Sequence, residues 1–162
     1  MRLFLLACLL AFCGSYLHAQ GREVPRFESY DEFAKATLAD EETTYVVNFW
    51  ATWCAPCVQE LPYFEQLHAE NKNVQVVLVS LDFKNQYAAR LLPFVEKHAL
   101  QSKVVFLADG NYNDWLVKVD ADWSGAIPAT LIVRGKKRLF VERNFEDYED
   151  LRRFVDSFHN KP

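Results

Sequence analysis

Two cysteines, Cys54 and Cys57, lie three positions apart in the run NFWATWCAPCVQELPYF, residues 48–64, with only Ala55 and Pro56 between them. Sulfurs at that spacing can close a small covalent loop, supply half of a metal site, or exchange electrons as a dithiol. The first is a poor use, because the stabilisation from a crosslink grows with the loop it closes and this loop is minimal. The second is thinly supported: structural zinc takes four nitrogen or sulfur ligands, and beyond residue 19 there is no other cysteine and no closely spaced histidine pair. The third needs a thiolate, and so a cysteine whose pKa is lowered toward ambient pH.

The flanking segments can provide that. TYVVNFWA, 44–51, is β-branched and aromatic without a breaker and reads as a buried strand. From Cys54 to about Asn71, Val58, Leu61, Phe64, Leu67 and His68 fall at helical spacing. A helix starting at or just after Cys54 places that sulfur beside partnerless N–H groups and the positive end of the dipole. Ala55 and Pro56 suit a first turn, where the N–H that proline lacks has no partner to lose. Cys57 returns one turn later, so an exposed attacking thiol and a sheltered resolving thiol are expected. Pro62 is expected to kink the helix.

The remaining chain supplies a scaffold of matching class. SYDEFAKATLAD reads as a helix capped by Ser29, after an irregular lead-in over 21–28. VQVVLVSLDF, 74–83, reads as a second buried strand, 86–100 as a helix broken by Pro93, 103–109 as a short strand and 111–119 as a short helix. Residues 126–144 read as a hairpin turning at Gly135, and 146–159 as an amphipathic helix. Alternating strands and helices followed by a hairpin imply an α/β fold, a mixed central sheet with helices on both faces.

At 162 residues the chain has room for one domain, and it contains no repeat or low-complexity linker. A net charge of −4 and a pI near 5.6 argue against a nucleic-acid partner. MRLFLLACLLAFCGSYLHAQ has one positive residue, an apolar run and small residues before Gln20, the layout of a secretory signal peptide spanning 1–19. The apolar run is short of the ~20 residues of a membrane span, although an uncleaved anchor is the alternative. Cleavage would remove Cys8 and Cys13 and leave one domain over 20–162.

WCAPC at a strand-to-helix junction, with GAIPAT some seventy residues later, resembles the thioredoxin superfamily. The signal peptide, VNFWATWCAPC, the following CVQELP and an inserted strand–helix segment between the two motifs narrow the resemblance to TlpA/ResA-like exported thiol–disulfide oxidoreductases, over roughly residues 40–160. The resemblance implies a thioredoxin-like fold in which Cys54 attacks a partner disulfide and Cys57 resolves the mixed disulfide, leaving Cys54–Cys57 oxidised. It implies a cis Pro128 that places the Ile127 backbone beside the sulfurs for an extended substrate; by position alone Pro128 is equally an ordinary trans proline. Glu60, three after Cys57, matches an acid that assists proton movement in that family, or is a solvated helix-surface glutamate. Asn48 stands where cytoplasmic thioredoxins carry a buried aspartate, as is common in the narrower group. Trp53 is expected to border the reactive sulfur as a docking surface and Trp50 to lie in the core. Trp123 is read as packing or as groove lining, His68 and His98 as structural, and the 134–138 run RGKKR as a solvated turn.

No cofactor is expected beyond the redox-active disulfide itself. The implied partners are oxidised protein substrates, including apocytochrome c thiols, and a membrane electron donor that recycles a periplasmic or otherwise exported monomer. Ala55-Pro56 gives the thiolate no extra charge and Glu60 opposes it, so reduction is the expected direction. The rivals are a copper-binding thioredoxin-like metallochaperone, a disulfide oxidase or isomerase, a thioredoxin-like binding module without catalysis, which often loses a cysteine where this chain retains both, and a peroxiredoxin, whose P-x-x-x-T-x-x-C context is missing.

Overall fold

The computed structural model describes residues 23–160. The expected signal peptide and its cleavage site lie outside them, as do Cys8 and Cys13.

In chain order the elements are β1 (Arg26–Phe27), α1 (Tyr30–Thr37), β2 (Thr44–Trp50), α2 (Ala55–Glu70), β3 (Val74–Ser80), α3 (Leu92–Lys97), β4 (Lys103–Leu107), α4 (Tyr112–Val119), β5 (Ala129–Arg134), β6 (Lys137–Val141) and α5 (Tyr148–Asn160). The strands form one sheet in the order β1-β4-β3-β2-β5-β6. The first four run parallel, and β5 and β6 join antiparallel. This is the expected mixed sheet, with β2 at its centre.

Strand alternation sends successive side chains to opposite faces. On one face Val46, Trp50, Val76, Leu78 and Ile132 pack with Leu61, Phe64 and Leu67 of α2 and Leu151, Val155 and Phe158 of α5. On the other, Val47, Phe49, Val77, Val79 and Leu131 pack with Phe33 of α1 and Trp115 and Val119 of α4. Both faces of β2 are covered, which explains why every one of its residues is buried. Ser29 caps α1 as expected, its hydroxyl accepting from the Glu32 N–H at 3.2 Å.

Three elements differ from the sequence reading. Arg26–Phe27, inside the expected lead-in, pairs parallel with Phe106–Leu107 at the sheet edge. The strand expected over 74–83 stops at Ser80; Leu81 N–H still reaches the Trp50 carbonyl of β2 at 2.7 Å, and Asp82 and Phe83 lie beyond the pairing. The helix expected over 86–100 is a composite: a 3-10 turn at Lys84–Gln86 and a π turn at Tyr87–Leu91 lead into α3. Proline's ring crowds the carbonyl four residues back and gives it no N–H. The widened turn just before Pro93, in which Leu92 N–H reaches the Tyr87 carbonyl, accommodates that defect. Pro62 lies within α2, which continues to Glu70.

Candidate active site

The pair Cys54–Cys57 lies at the carboxyl end of β2, the central strand. Cys54 is the N-cap residue of α2, with φ −88° and ψ 99°, and its sulfur accepts from the Cys57 N–H at 3.3 Å. The two sulfurs are joined as a disulfide, with 5.3 Å between the α-carbons. An N-cap acceptor satisfies one of the orphan donors of the first turn, and a sulfur carrying negative charge there gains from the same N–H and from the dipole. The sheltered position of Cys57 is as expected, with no exposed surface, but Cys54 is only 7% exposed in the disulfide form. The expected exposed thiol is therefore a shallow one, covered by its partner sulfur and by the loop before β5.

That loop brings in the second motif. The Ile127–Pro128 peptide is cis, and the Ile127 carbonyl oxygen lies 3.7 Å from Cys54 Sγ. Two features shape the approach. Gly125 adopts φ +91°, which side-chain-bearing residues rarely take. Trp123 Nε1 donates to the Ala126 carbonyl at 2.9 Å while its ring packs on Phe49, 4.7 Å between centroids. Trp123 is thus a packing residue. Trp50 is fully buried, in the core as expected.

Trp53 is 46% exposed and stacks on Phe83, which is 57% exposed, with centroids 5.8 Å apart and planes 14° from parallel. Two large apolar rings left in solvent one residue from Cys54 form a platform that a substrate side chain can cover. Phe83 could not be distinguished in the sequence from the apolar run it ends. Nor could Asp82, which is buried and accepts from Thr52 N–H at 3.2 Å, Thr52 Oγ1 at 2.5 Å and Ser80 Oγ at 2.8 Å. Through Thr52 it anchors the Ala51–Trp53 bend that presents Cys54.

Glu60 is 1% exposed, so the solvated reading of its position fails. Its Oε1 accepts from Asn48 Nδ2 and its Oε2 from the Phe145 backbone N–H, both at 2.8 Å. Asn48 pairs with Thr130 across β2 and β5, and its Nδ2 also donates to Thr130 Oγ1 at 3.2 Å. Burial raises the Glu60 pKa from 4.5 to about 7, against the two hydrogen bonds and the positive charge of Arg143, which favour the carboxylate. The carboxyl group thus titrates near neutrality, three residues along α2 from Cys57, with both oxygens held by Asn48 and Phe145. The Phe145 contact was invisible in the sequence, because a backbone N–H carries no residue signature.

The two histidines singled out in the sequence stay apart from the sulfurs' machinery. His98 is exposed, stacks on Phe94 at 3.9 Å and has its Nδ1 2.9 Å from the Phe94 carbonyl oxygen; His68 is half-buried near the end of α2. Among the described residues no group of three or more His, Cys, Asp or Glu is placed to hold a metal ion. In the basic run at the hairpin, Arg134 pairs with Glu42 at 3.0 Å and Arg138 donates to the Lys118 carbonyl at 2.8 Å. No described helix is long and apolar enough to cross a membrane.

Residues 20–140 match the model of the AhpC/TSA family. The chain is similar to thiol-disulfide oxidoreductase ResA of Oceanobacillus iheyensis, 35% identical over 91 residues that cover 55% of this chain and 43% of that protein. It is similar to the ResA of Bacillus thuringiensis, 35% identical over 89 residues that cover 48% and 51%. The chain spans about half the length of these curated relatives. A secreted Mycobacterium tuberculosis disulfide oxidoreductase homologous to E. coli DsbE has the same fold, with a TM-score of 0.58 and 24% identity over 74% of this chain and 85% of that one.

Proposed function

This chain belongs to the AhpC/TSA family, thioredoxin-like in fold, and on that premise we propose that it is an exported thiol–disulfide oxidoreductase that reduces protein disulfides. One observation carries the reading: a redox-capable cysteine pair caps the helix after the central strand, with the carbonyl before Pro128 3.7 Å from the first sulfur.

In the reduced protein Cys54 is the nucleophile. Its thiolate attacks one sulfur of a substrate disulfide, the substrate S–S bond breaks, and the departing thiolate takes a proton. Ile127 and Pro128 present backbone to an extended substrate segment, and Trp53 with Phe83 covers its apolar side chains. Glu60 receives the Cys57 proton, and the Cys57 thiolate attacks Cys54 sulfur in the mixed disulfide. The second substrate thiolate leaves, and the Cys54–Cys57 bond holds the two-electron oxidation. No cofactor enters this cycle. An outside dithiol donor at the membrane must then reduce the pair again, and apocytochrome c with its cysteine pair oxidised to a disulfide fits the substrate class.

The direction rests on what surrounds the thiolate. The Cys57 N–H and the helix terminus favour it, no cation lies between the cysteines, and ionised Glu60 on the same helix opposes it. A redox titration against dithiol buffers is expected to give a midpoint toward the thioredoxin end of the scale, about −270 mV, rather than the strongly oxidising end near about −120 mV. A midpoint at the oxidising end would turn the reading to a disulfide oxidase; a pair that fails to cycle reversibly would end it.

A further inference from the structure

Two adjoining recesses form a groove along the side of α2. One cavity, of about 360 Å³, lies between Val58, Leu61 and Pro62 of α2 and Phe94, His98 and Leu100 across from them. A second, of about 350 Å³, shares Phe94 and His98 and extends to Thr52, with Arg90, Pro93 and Lys97 on its walls. Thr52 is two residues before Cys54, and the Val58 N–H bonds to the Cys54 carbonyl at 3.1 Å. Neither cysteine lines the groove, but Thr52 and Val58, the residue after Cys57, both do, so chain bound there passes close to the sulfurs.

The charges along it are unequal. Arg90 and Lys97 are exposed and have no ion pair or side-chain hydrogen bond among the described residues. Elsewhere Arg26, Lys84, Lys118, Arg134, Arg143 and Arg152 each sit on a carboxylate. Lys35, Lys72, Lys103, Lys136 and Arg138 likewise make no ion pair among the described residues, so what marks Arg90 and Lys97 is that both line one recess. Glu96, next to Lys97, is exposed, while two other acids near the groove are hydrogen-bonded. Asp82 is buried behind Thr52 and accepts from it and from Ser80. Glu65, at the far end, accepts from the Gln101 and Ser102 N–H groups. The lining beside Thr52 thus carries two cations and no carboxylate, the middle is apolar and the far end holds Glu65.

We propose that this groove docks an acidic, extended segment flanking the substrate's disulfide, with its carboxylates between Arg90 and Lys97 and an apolar side chain over Phe94 and Leu61. The proposal rests on the exchange reading of Cys54 and Cys57. It adds what that reading lacks, a preference among substrates set by charge at a site separate from the Trp53–Phe83 platform.

The test is a fluorescence anisotropy titration of the disulfide form with two labelled twelve-residue peptides, each with serine in place of cysteine so that no exchange occurs. One carries three glutamates beside an apolar residue, and the other carries lysines at those three positions. The acidic peptide is expected to bind about tenfold tighter, the scale of two exposed ion pairs, with the advantage shrinking in 0.5 M salt as screening increases. The double variant Arg90→Glu with Lys97→Glu should reverse the preference. Equal affinities in the unaltered protein, or a preference that survives the double variant, would overturn the proposal. In parallel, the reduced unaltered protein is mixed with neutral 2,2′-dithiodipyridine; no reaction there would sink the exchange reading on its own, whatever the peptides do.

Discussion

Replacing Glu60 by glutamine keeps the side chain's shape and removes its ionisation, which isolates the energetic effect of a buried carboxyl group. Raising that group from 4.5 to about 7 corresponds to about 3 kcal/mol of preference for the protonated form, at about 1.4 kcal/mol per pH unit. Below about pH 4.5 the folded and unfolded chains both hold the proton, and the group has no effect. Between there and 7 the unfolded carboxyl has ionised while the folded one keeps its proton, so stability falls as pH rises; above 7 the loss is complete. Glu60→Gln should therefore gain on the unaltered protein by about 3 kcal/mol between pH 4.5 and pH 8. Urea unfolding of both disulfide forms across that range measures it, and titrations common to the two proteins cancel in the difference. The same variant should slow resolution of a mixed disulfide and flatten any inflection near pH 7 in its rate. A stability difference that stays constant with pH would refute the claim that burial outweighs the Asn48 and Phe145 hydrogen bonds.

Two further outcomes are expected. Cys57→Ser should accumulate a mixed disulfide on Cys54 with a peptide disulfide, seen as an adduct by mass spectrometry of the intact protein, and Cys54→Ser should not. Phe83→Ala should lower kcat/KM for a peptide disulfide with an adjacent aromatic residue by about fivefold, through KM, as expected for losing about 1 kcal/mol of ring contact; urea unfolding should barely change, because the ring is mostly in solvent.

Much of this site could be read from residue order, because its chemistry is local. Cys54, Cys57 and Glu60 share one helix, and the strand before it announced where that helix begins. The α/β class followed from period: continuous apolar runs at β2 and β3, 3.6-residue spacing in α2 and α5, and a turn glycine at 135. What escaped was set by partners distant in sequence. Phe145 contributes a main-chain donor 85 residues from Glu60. Asp82 and Phe83 end an apolar run whose first seven residues alone pair in the sheet, and nothing in the run marks where it departs. The two-residue strand at Arg26 exists because Phe106 and Leu107 lie beside it, too short to leave a pattern of its own. Pro93 signalled a break, but whether the chain would end its helix or widen by one residue depended on the packing around it.

The hairpin between β5 and β6 offers a practical handle. β5 starts beside Pro128 and runs antiparallel to β2, with Ala129 opposite Phe49 and Val133 opposite Tyr45, so six residues at about 3.3 Å each carry Gly135 some 20 Å from the sulfurs. A fluorophore, a surface tether or a fused reporter attached at Lys136 would stand at the opposite end of the molecule from the reacting pair, leaving incoming partners unobstructed.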